Sequence, residues 1–256
     1  MRDDLKKISV DIIIPNYNSE LYISETIDSI INQDFNNWKL TIIDANSNIE
    51  TKEILKNYIK HPKINIVWLK KQKRAGFCRN LAMRNAKADY IAFIDSDDIW
   101  KKEKLSKQLS FMIENKYNFT YTNYLPFKSE IKKSYLKEVK PKKNFTFEKF
   151  IKDTSIATST MIIKKSIIGN IKFSNTNICE DYFFKCQILK KITNAYCLSV
   201  NLMEYRIRKN SLQSNKLRNI YWIWYINKKM NQLGFFKNIV SLIYISTNSL
   251  KKYGFK

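Results

Sequence analysis

The residues best equipped for chemistry are three carboxylates within four positions, Asp95, Asp97 and Asp98, directly after the apolar run 90–94. Asp and Ser are poor strand formers, so the run reads as a central strand that ends where the acids begin. The acids then sit at the carboxyl edge of the sheet, where ligands bind in open α/β folds. Clustered carboxylates at that edge suit a hard divalent cation, Mg²⁺ or Mn²⁺, bridging to phosphate. The competing reading is a solvated turn in which Asp98 caps a helix beginning near Trp100. A cap needs one carboxylate, and three are present.

Two further stretches have the right character. Asp44 ends the apolar run 40–43 as Asp95 ends its own. A carboxylate there can accept from a ring N–H of a nucleobase, with Tyr17 on the neighbouring loop packing on the base; an ordinary Asx turn is the other reading. Between residues 70 and 80 the chain runs KKQKRAGFCRN, and Gly76 opens a helix beside several cations. That arrangement suits a diphosphate, bound by helix N-terminal amides and Arg79. Residues 70–74 read equally well as a solvated loop.

The elements that position these residues follow from periodicity. Residues 10–14 form a short apolar run closed by Pro15 and the turn-formers Asn16, Asn18 and Ser19, a strand feeding a loop. Ile23, Ile27, Ile30 and Ile31 recur at helical spacing, and so do Ile54, Leu55, Tyr58 and Ile59 after the second strand. A third strand spans 64–69. Strands alternating with helices at this spacing imply right-handed βαβ crossovers and a mostly parallel sheet.

The chain of 256 residues is long enough for one large domain or a domain plus an appendage, and 44% apolar residues is ordinary for a globular core. A net charge of +23 raises the possibility of nucleic acid, but the lysines are spread through a Lys-, Asn- and Ile-rich chain, so charge alone discriminates poorly. The polar residues 1–7 and the short first apolar run do not make a signal peptide, and a cytoplasmic protein is expected. Cys78, Cys179, Cys186 and Cys197 form no C-x-x-C pair and His61 is the single histidine, which argues for reduced thiols and against a zinc site.

Together these stretches resemble the family 2 glycosyltransferases, inverting enzymes that use nucleotide sugars on a GT-A fold. Residues 10–18 (VDIIIPNYN) look like the family's first-strand motif and residues 40–47 like its second-strand acidic motif. GFCRN at 76–80, followed by 90–100, looks like the run into its D-x-D metal motif. Ala45 departs from the pattern where a second Asp is usual, and Asn16 where Thr or Ser is common. The resemblance implies a Rossmann-like α/β/α sandwich with a mixed, mostly parallel sheet and a helical C-terminal appendage. It implies Asp95-Ser96-Asp97 as the D-x-D, with Asp95 facing the ribose, Asp97 holding Mn²⁺ or Mg²⁺, and Asp98 supporting both. Pro15, Tyr17, Asp44, Gly76, Arg79 and Ser96 complete the implied donor site. In-line displacement with inversion needs a carboxylate to deprotonate the acceptor hydroxyl opposite the departing diphosphate. Asp181 matches the base position of the family's E-D motif, with Glu180 its companion. Stabilisation of the helix dipole is the bland reading of that pair.

Downstream, Leu105, Leu109, Met112 and Ile113 mark a helix and residues 119–123 a strand. The lysine-rich stretch 128–143 reads as an exposed insertion, 145–151 as a short helix, and 158–164 as a strand. The small leading residues 157–160 of that strand could floor a sugar site. Residues 200–208 read as a strand, and 205–214 resemble the family's closing Y-R…S-x-S segment. Two readings of Arg206 and Arg208 stand there, contact with the pyrophosphate or solvation. No acid follows Glu204, and aromatic and aliphatic residues between 221 and 244 are interleaved with Lys228, Lys229 and Lys237. Such basic amphipathic helices either bind an anionic membrane surface or pack on the catalytic domain. Residues 235–250 are too short and polar to be a convincing span.

The expected organisation is a catalytic domain over 1–216, with a nucleotide-sugar half to about residue 123 and an acceptor half from 124 to 216, followed by basic helices over 217–256. The expected partners are a nucleotide-sugar donor, a glycan or lipid-linked acceptor of bacterial surface polysaccharide, and an anionic membrane surface on the cytoplasmic side, with no nucleic acid. Three rivals remain: a nucleotidyltransferase, which usually carries a glycine-rich loop that residues 15–20 lack, a nucleic-acid-binding module, and a catalytically dead scaffold.

Overall fold

The computed structural model describes residues 5, 7–129, 133–208 and 215–253. The chain opens as a βαβ succession: β1 (Val10–Asn16), α1 (Ile23–Ile31), β2 (Trp38–Asp44), α2 (Ile49–Lys56), β3 (Ile64–Trp68), α3 (Ala75–Asn85) and β4 (Tyr90–Phe93). These four strands pair in parallel in the order β3-β2-β1-β4. Then come β5 (Ile99–Trp100), α4 (Lys104–Glu114), β6 (Phe119–Lys128), β7 (Ser134–Tyr135), β8 (Asn144–Phe145), α5 (Phe147–Phe150), β9 (Ile162–Lys164) and α6 (Lys165–Ile168). The helix α7 (Glu180–Lys191) and the long β10 (Ala195–Arg206) complete the sheet, whose path continues from β4 through β9, β6 and β10 to β5. β9 is antiparallel to both β4 and β6, while β10 is parallel to β6, so the sheet is mixed.

Strand alternation divides the core between the two faces of the sheet. Ile12, Ile14, Leu40 and Ile42 pack with Ile23, Ile27 and Ile30 of α1 and Leu105, Leu109 and Met112 of α4. Ile13, Ile43, Ile91 and Phe93 face the other way, toward Cys78 and Ala82 of α3 and Phe184 and Ile188 of α7. Layers on both faces make the α/β/α sandwich. The four cysteines are free, as the spacing implied.

Several local expectations are corrected. No helix begins near Trp100: residues 99–100 pair with β10, α4 starts at Lys104 after Glu103, and Asp98 caps nothing. The segment expected as a strand from 158 begins instead with a 3₁₀ turn, Thr158–Thr160, before β9, because the carbonyls of Ala157 and Thr158 accept from the N–H groups of Thr160 and Met161. The 128–143 stretch is tied to the sheet through β7 and through Tyr124 with buried Val139. The strand expected over 200–208 starts five residues earlier, at Ala195.

The C-terminal segment forms α8 (Lys216–Tyr225), a π-helical turn (Ile226–Met230) and α9 (Phe235–Tyr253). Ile223, Ile226 and Ile245 are buried in the same cluster as Phe93 and Phe184. Buried Asn227 accepts from Tyr182 Oη at 2.7 Å and donates to Ser241 Oγ at 3.0 Å. The packing reading of the tail therefore describes its inner face.

Candidate active site

Each acid stretch stands where a strand or helix ends. Asp44 is the last residue of β2 and fully buried. Its Oδ2 accepts from Asn16 Nδ2 at 2.9 Å and from Ser47 Oγ at 2.5 Å, and its Oδ1 from the Ser47 N–H at 3.1 Å. The Asx-type turn is thus built, and both oxygens have protein partners. The loops beside it contain Asn18 and Asn46 in the left-handed region, which Asn tolerates better than most residues. Pro15 pairs with Ile43 within the sheet, and Tyr17 projects from the first loop with 43% of its surface exposed.

Beyond β4, Asp95 and Asp97 are each paired with an arginine. Arg79 of α3 donates from Nη2 to Asp95 Oδ1 at 2.6 Å and from Nη1 to Glu180 Oε1 at 2.8 Å, with its guanidinium 5.2 Å from the Phe173 ring. Burial disfavours its charge, but Asp95 and Glu180 overcome that and raise its pKa further. Arg79 therefore links the two acid stretches. Gly76, one turn earlier, lies where a Cβ would be 2.9 Å from both Glu180 Cγ and the Ser174 carbonyl. The glycine permits this close approach of α3 to α7.

Asp97 is mostly buried, and its Oδ2 is 2.7 Å from Arg208 Nε. Burial pushes its carboxyl up to about 6, with Arg208 opposing and Asp95 adding to the shift. Asp98 is buried and accepts from Ser159 Oγ and, at 3.0 Å, from the Arg206 N–H. Burial, then the neighbouring Asp97 and Asp95, hold it well above the usual carboxylate range. Ser96 lies between them, partly exposed.

Arg206 is not solvated. It is buried, donates from Nε to the Asp97 carbonyl at 2.8 Å and from Nη1 to Ser129 Oγ at 2.6 Å, and pairs with Glu25 at 2.5 Å. Its guanidinium lies between the rings of Tyr22 and Phe127, 4.6 and 4.5 Å from their centroids. Arg208 is 43% exposed and engages Asp97. The rest of the closing motif, residues 209–214, lies outside the described residues.

Asp181, in the first turn of α7, accepts through Oδ2 from Thr158 Oγ1 at 2.9 Å and from Lys185 Nζ at 2.7 Å. Burial would raise its pKa, but Lys185, with Arg79 and Thr158 adding to its pull, outweighs burial and holds the carboxyl at about 2. Glu180 is raised by burial, against the pull of Arg79. Cys179 precedes them in the left-handed region with φ 59°.

The turn Thr158–Thr160 joins these groups. Thr158 holds Asp181, while Ser159 donates to Asp98 and accepts from the Asp95 N–H at 3.0 Å. These small residues, expected to floor a sugar site, fasten the acids. Lys185, unremarked in the sequence, had a legible signal, since a lysine four residues after an aspartate lies on the same helix face.

Among the described residues no three His, Cys, Asp or Glu side chains gather as a metal cluster. Asp95 Oδ2 and Asp97 Oδ1 nonetheless lie outside the two arginine pairs. Two carboxylate oxygens at a strand edge, completed by diphosphate oxygens, are a suitable donor set for Mg²⁺ or Mn²⁺.

Comparisons with known proteins bear on the family and the fold. Residues 11–171 match the profile of glycosyl transferase family 2. A Bacillus subtilis glycosyltransferase assigned provisionally to teichuronic acid biosynthesis, TuaG, is 33% identical over 95% of this chain and 96% of its own. The Escherichia coli protein WfgD, a UDP-Glc:alpha-D-GlcNAc-diphosphoundecaprenol beta-1,3-glucosyltransferase, is 31% identical over 96% of this chain and 95% of its own. Among solved structures, Staphylococcus aureus TarS 1–349 in complex with UDP-GlcNAc superposes with a TM-score of 0.73 at 20% identity, over 95% of this chain and 73% of that one. A Pyrobaculum calidifontis mannosyltransferase in complex with GDP-Man and Mn²⁺ gives 0.69 at 15% identity, over 97% and 76%. These neighbours share the GT-A fold. With the fold, the ordered acid motifs and a profile match over more than half its length in agreement, the chain belongs to glycosyl transferase family 2.

Proposed function

We propose that the protein transfers a sugar, with inversion, from a UDP-linked donor to a hydroxyl of a lipid-linked glycan during bacterial surface polysaccharide synthesis. The observation that carries this is the convergence of the donor-side acids Asp95 and Asp98 and the acid Asp181 on one three-residue turn. The WfgD and TarS comparisons support the donor and acceptor classes.

In this reading Tyr17 and the Asp44 loop receive the nucleoside, Asp95 and Ser96 the ribose and diphosphate, and Asp97 with Asp95 the cation. A bound Mg²⁺ or Mn²⁺ would neutralise charge on the departing diphosphate. Gly76 and the α3 terminus flank the same edge. Asp181 takes the proton of the acceptor hydroxyl as that oxygen attacks the anomeric carbon. A carboxyl held at about 2 is ionised throughout the neutral range and is a weak base. Proton transfer is therefore late, when the attacking oxygen has become acidic through bond formation. Arg206 holds the Asp97 carbonyl and Arg208 its carboxylate, which stiffens the donor edge.

Purified protein incubated with a panel of nucleotide sugars and Mn²⁺ should hydrolyse one donor slowly and transfer it when a lipid-linked glycan is added. Asp181→Asn should lose transfer by roughly 10²–10⁴-fold yet bind the donor nucleotide in calorimetry. Donor binding lost together with activity would move Asp181 into the donor site or the fold.

We also propose that the outer face of the tail rests on the cytoplasmic membrane surface. Leu217, Tyr221 and Tyr225 on α8, and Phe236, Val240, Ile243 and Tyr244 on α9, are exposed at helical spacing. Lys228 and Lys229 lie between the two helices in a segment without acids. No helix among the described residues is long and apolar enough to cross a membrane. Each Lys or Arg near an anionic surface contributes about 1 kcal/mol. Anionic vesicles should therefore sediment the protein, less so at high salt, and Phe235→Ser with Phe236→Ser should leave more in the supernatant. Equal sedimentation of the two would confine the helices to packing.

A further inference from the structure

We propose that Lys185 is a positioning residue for transfer, its buried ammonium fixing which oxygen of the Asp181 carboxylate meets the acceptor hydroxyl. The inference rests on reading Asp181 as the base. Lysine is almost never fully buried unless paired, and the side chain of Lys185 is only 3% exposed. Its Nζ donates to Asp181 Oδ2 at 2.7 Å, to the Ile156 carbonyl at 2.8 Å and to Thr158 Oγ1 at 3.1 Å. Three donors meet three acceptors, so the ammonium is saturated. Thr158 Oγ1 in turn donates to the same Oδ2.

The consequence is asymmetric. Oδ2 is committed twice, and Oδ1 lies outside both contacts. A carboxylate pinned through one oxygen cannot rotate freely about its Cβ–Cγ bond, so the other oxygen keeps one orientation toward an incoming hydroxyl. A simple i,i+4 pair on a helix surface would lack the anchors on Ile156 and Thr158, which belong to the segment that also seats Asp95 and Asp98 through Ser159. At the far end of that turn, Nζ of buried Lys104 and Nε2 of Gln108 both donate to the Thr160 carbonyl, at 3.2 and 3.1 Å. Lysines from two helices thus hold the carbonyls on either side of the turn.

Charged and titratable groups facing Asp181 are Lys185 and Glu180 on its own helix, Cys179 before it, and Arg79 from α3, with Arg218 of α8 acting on Cys179. Burial raises the carboxyl, and the Lys185 ammonium is the largest opposing influence. Removing the ammonium while keeping the volume should let burial dominate.

The test is carboxyl-carbon NMR of Asp181 together with kinetics. In wild-type protein Asp181 should stay ionised between about pH 7 and pH 4, and in Lys185→Met it should titrate above the ordinary 3.8. Turnover of Lys185→Met should fall roughly 10- to 100-fold, less than loss of the base itself, with donor KM unchanged and an acid limb displaced upward. Lys185→Arg, which keeps the charge, should recover part of the rate. A folded wild-type protein whose Asp181 titrates at or above 3.8 overturns the proposal, as does Lys185→Met with wild-type turnover and pH profile. Should Lys185→Met fail to fold, the wild-type titration and Lys185→Arg still decide. Full turnover by Asp181→Asn would overturn the catalytic role, while the titration would separately report whether Lys185 governs the carboxylate.

Discussion

Gly76→Ala probes the contact on which the meeting of the two acid stretches depends. A Cβ at position 76 would be 2.9 Å from Glu180 Cγ and 2.9 Å from the Ser174 carbonyl oxygen, whereas ordinary contact begins at 3.4 Å. Each neighbour would have to retreat by about 0.5 Å, the difference between those distances. Glu180 is held from its other side by Arg79 at 2.8 Å, and the second neighbour is backbone, so neither yields freely. Overpacking of this kind costs about 1–3 kcal/mol. Replacing a helical glycine by alanine returns about 0.5–1 kcal/mol. A net loss of about 0–2.5 kcal/mol follows, which in a chain of this size lowers Tm by up to roughly 10 °C. Because the displaced groups include the neighbour of Asp181 and the partner of Arg79, turnover should fall roughly tenfold. Thermal melts and initial rates of Gly76→Ala should be read beside Gly234→Ala, where nothing lies within 4 Å of the new Cβ. That control should stay within about 0.5 kcal/mol of wild type. A Gly76→Ala protein that melts at or above wild type with full turnover would refute the close-approach argument.

Asp97→Asn should abolish metal-dependent turnover while keeping a cooperative melt, since a neutral amide is a weaker ligand for a hard cation; near-wild-type activity in a folded variant would remove Asp97 from the cation site. Arg206→Met should destabilise by roughly 1–3 kcal/mol in urea titration, because it strips partners from Ser129, the Asp97 carbonyl and Glu25, the last still paired with Lys133, whereas Lys56→Ala, which breaks an exposed pair, should cost under about 1 kcal/mol. Asp181, held at about 2 against an ordinary 3.8, stabilises the fold above 3.8 by about 2 kcal/mol, and that contribution is lost as the pH falls through 2. Melts of wild type should therefore decline more steeply below pH 4 than those of Asp181→Asn, and parallel declines would count against the ion pair.

Most elements of the first half, and the acids at their ends, were legible in the sequence because both are local. Apolar periodicity over a few residues marks β1, β2 and β4, and the acids that close β2 and β4 stand next to those runs in the chain. The E-D pair was legible through its resemblance to the family's motif, two adjacent acids at residues 180 and 181. The 3₁₀ turn at 158 was not, because Thr and Ser are unremarkable in a strand and a turn is decided by which backbone carbonyls are within reach. Arg206 left two readings open in the sequence, and the fold gave a third: a buried arginine contacting Glu25, 181 residues away in the chain. The same holds for Ser159 with Asp98, 61 residues apart, and for Arg79 with Glu180, 101 apart. Sequence periodicity reports which face of an element is apolar, and so determined the layers and the edge on which the acids lie. Which side chain satisfies which buried carboxylate depends on the crossing of elements distant in the chain. Burial makes an unpaired charge costly, so those tertiary partners, and not the motifs alone, set the charge and orientation of Asp97, Asp98 and Asp181.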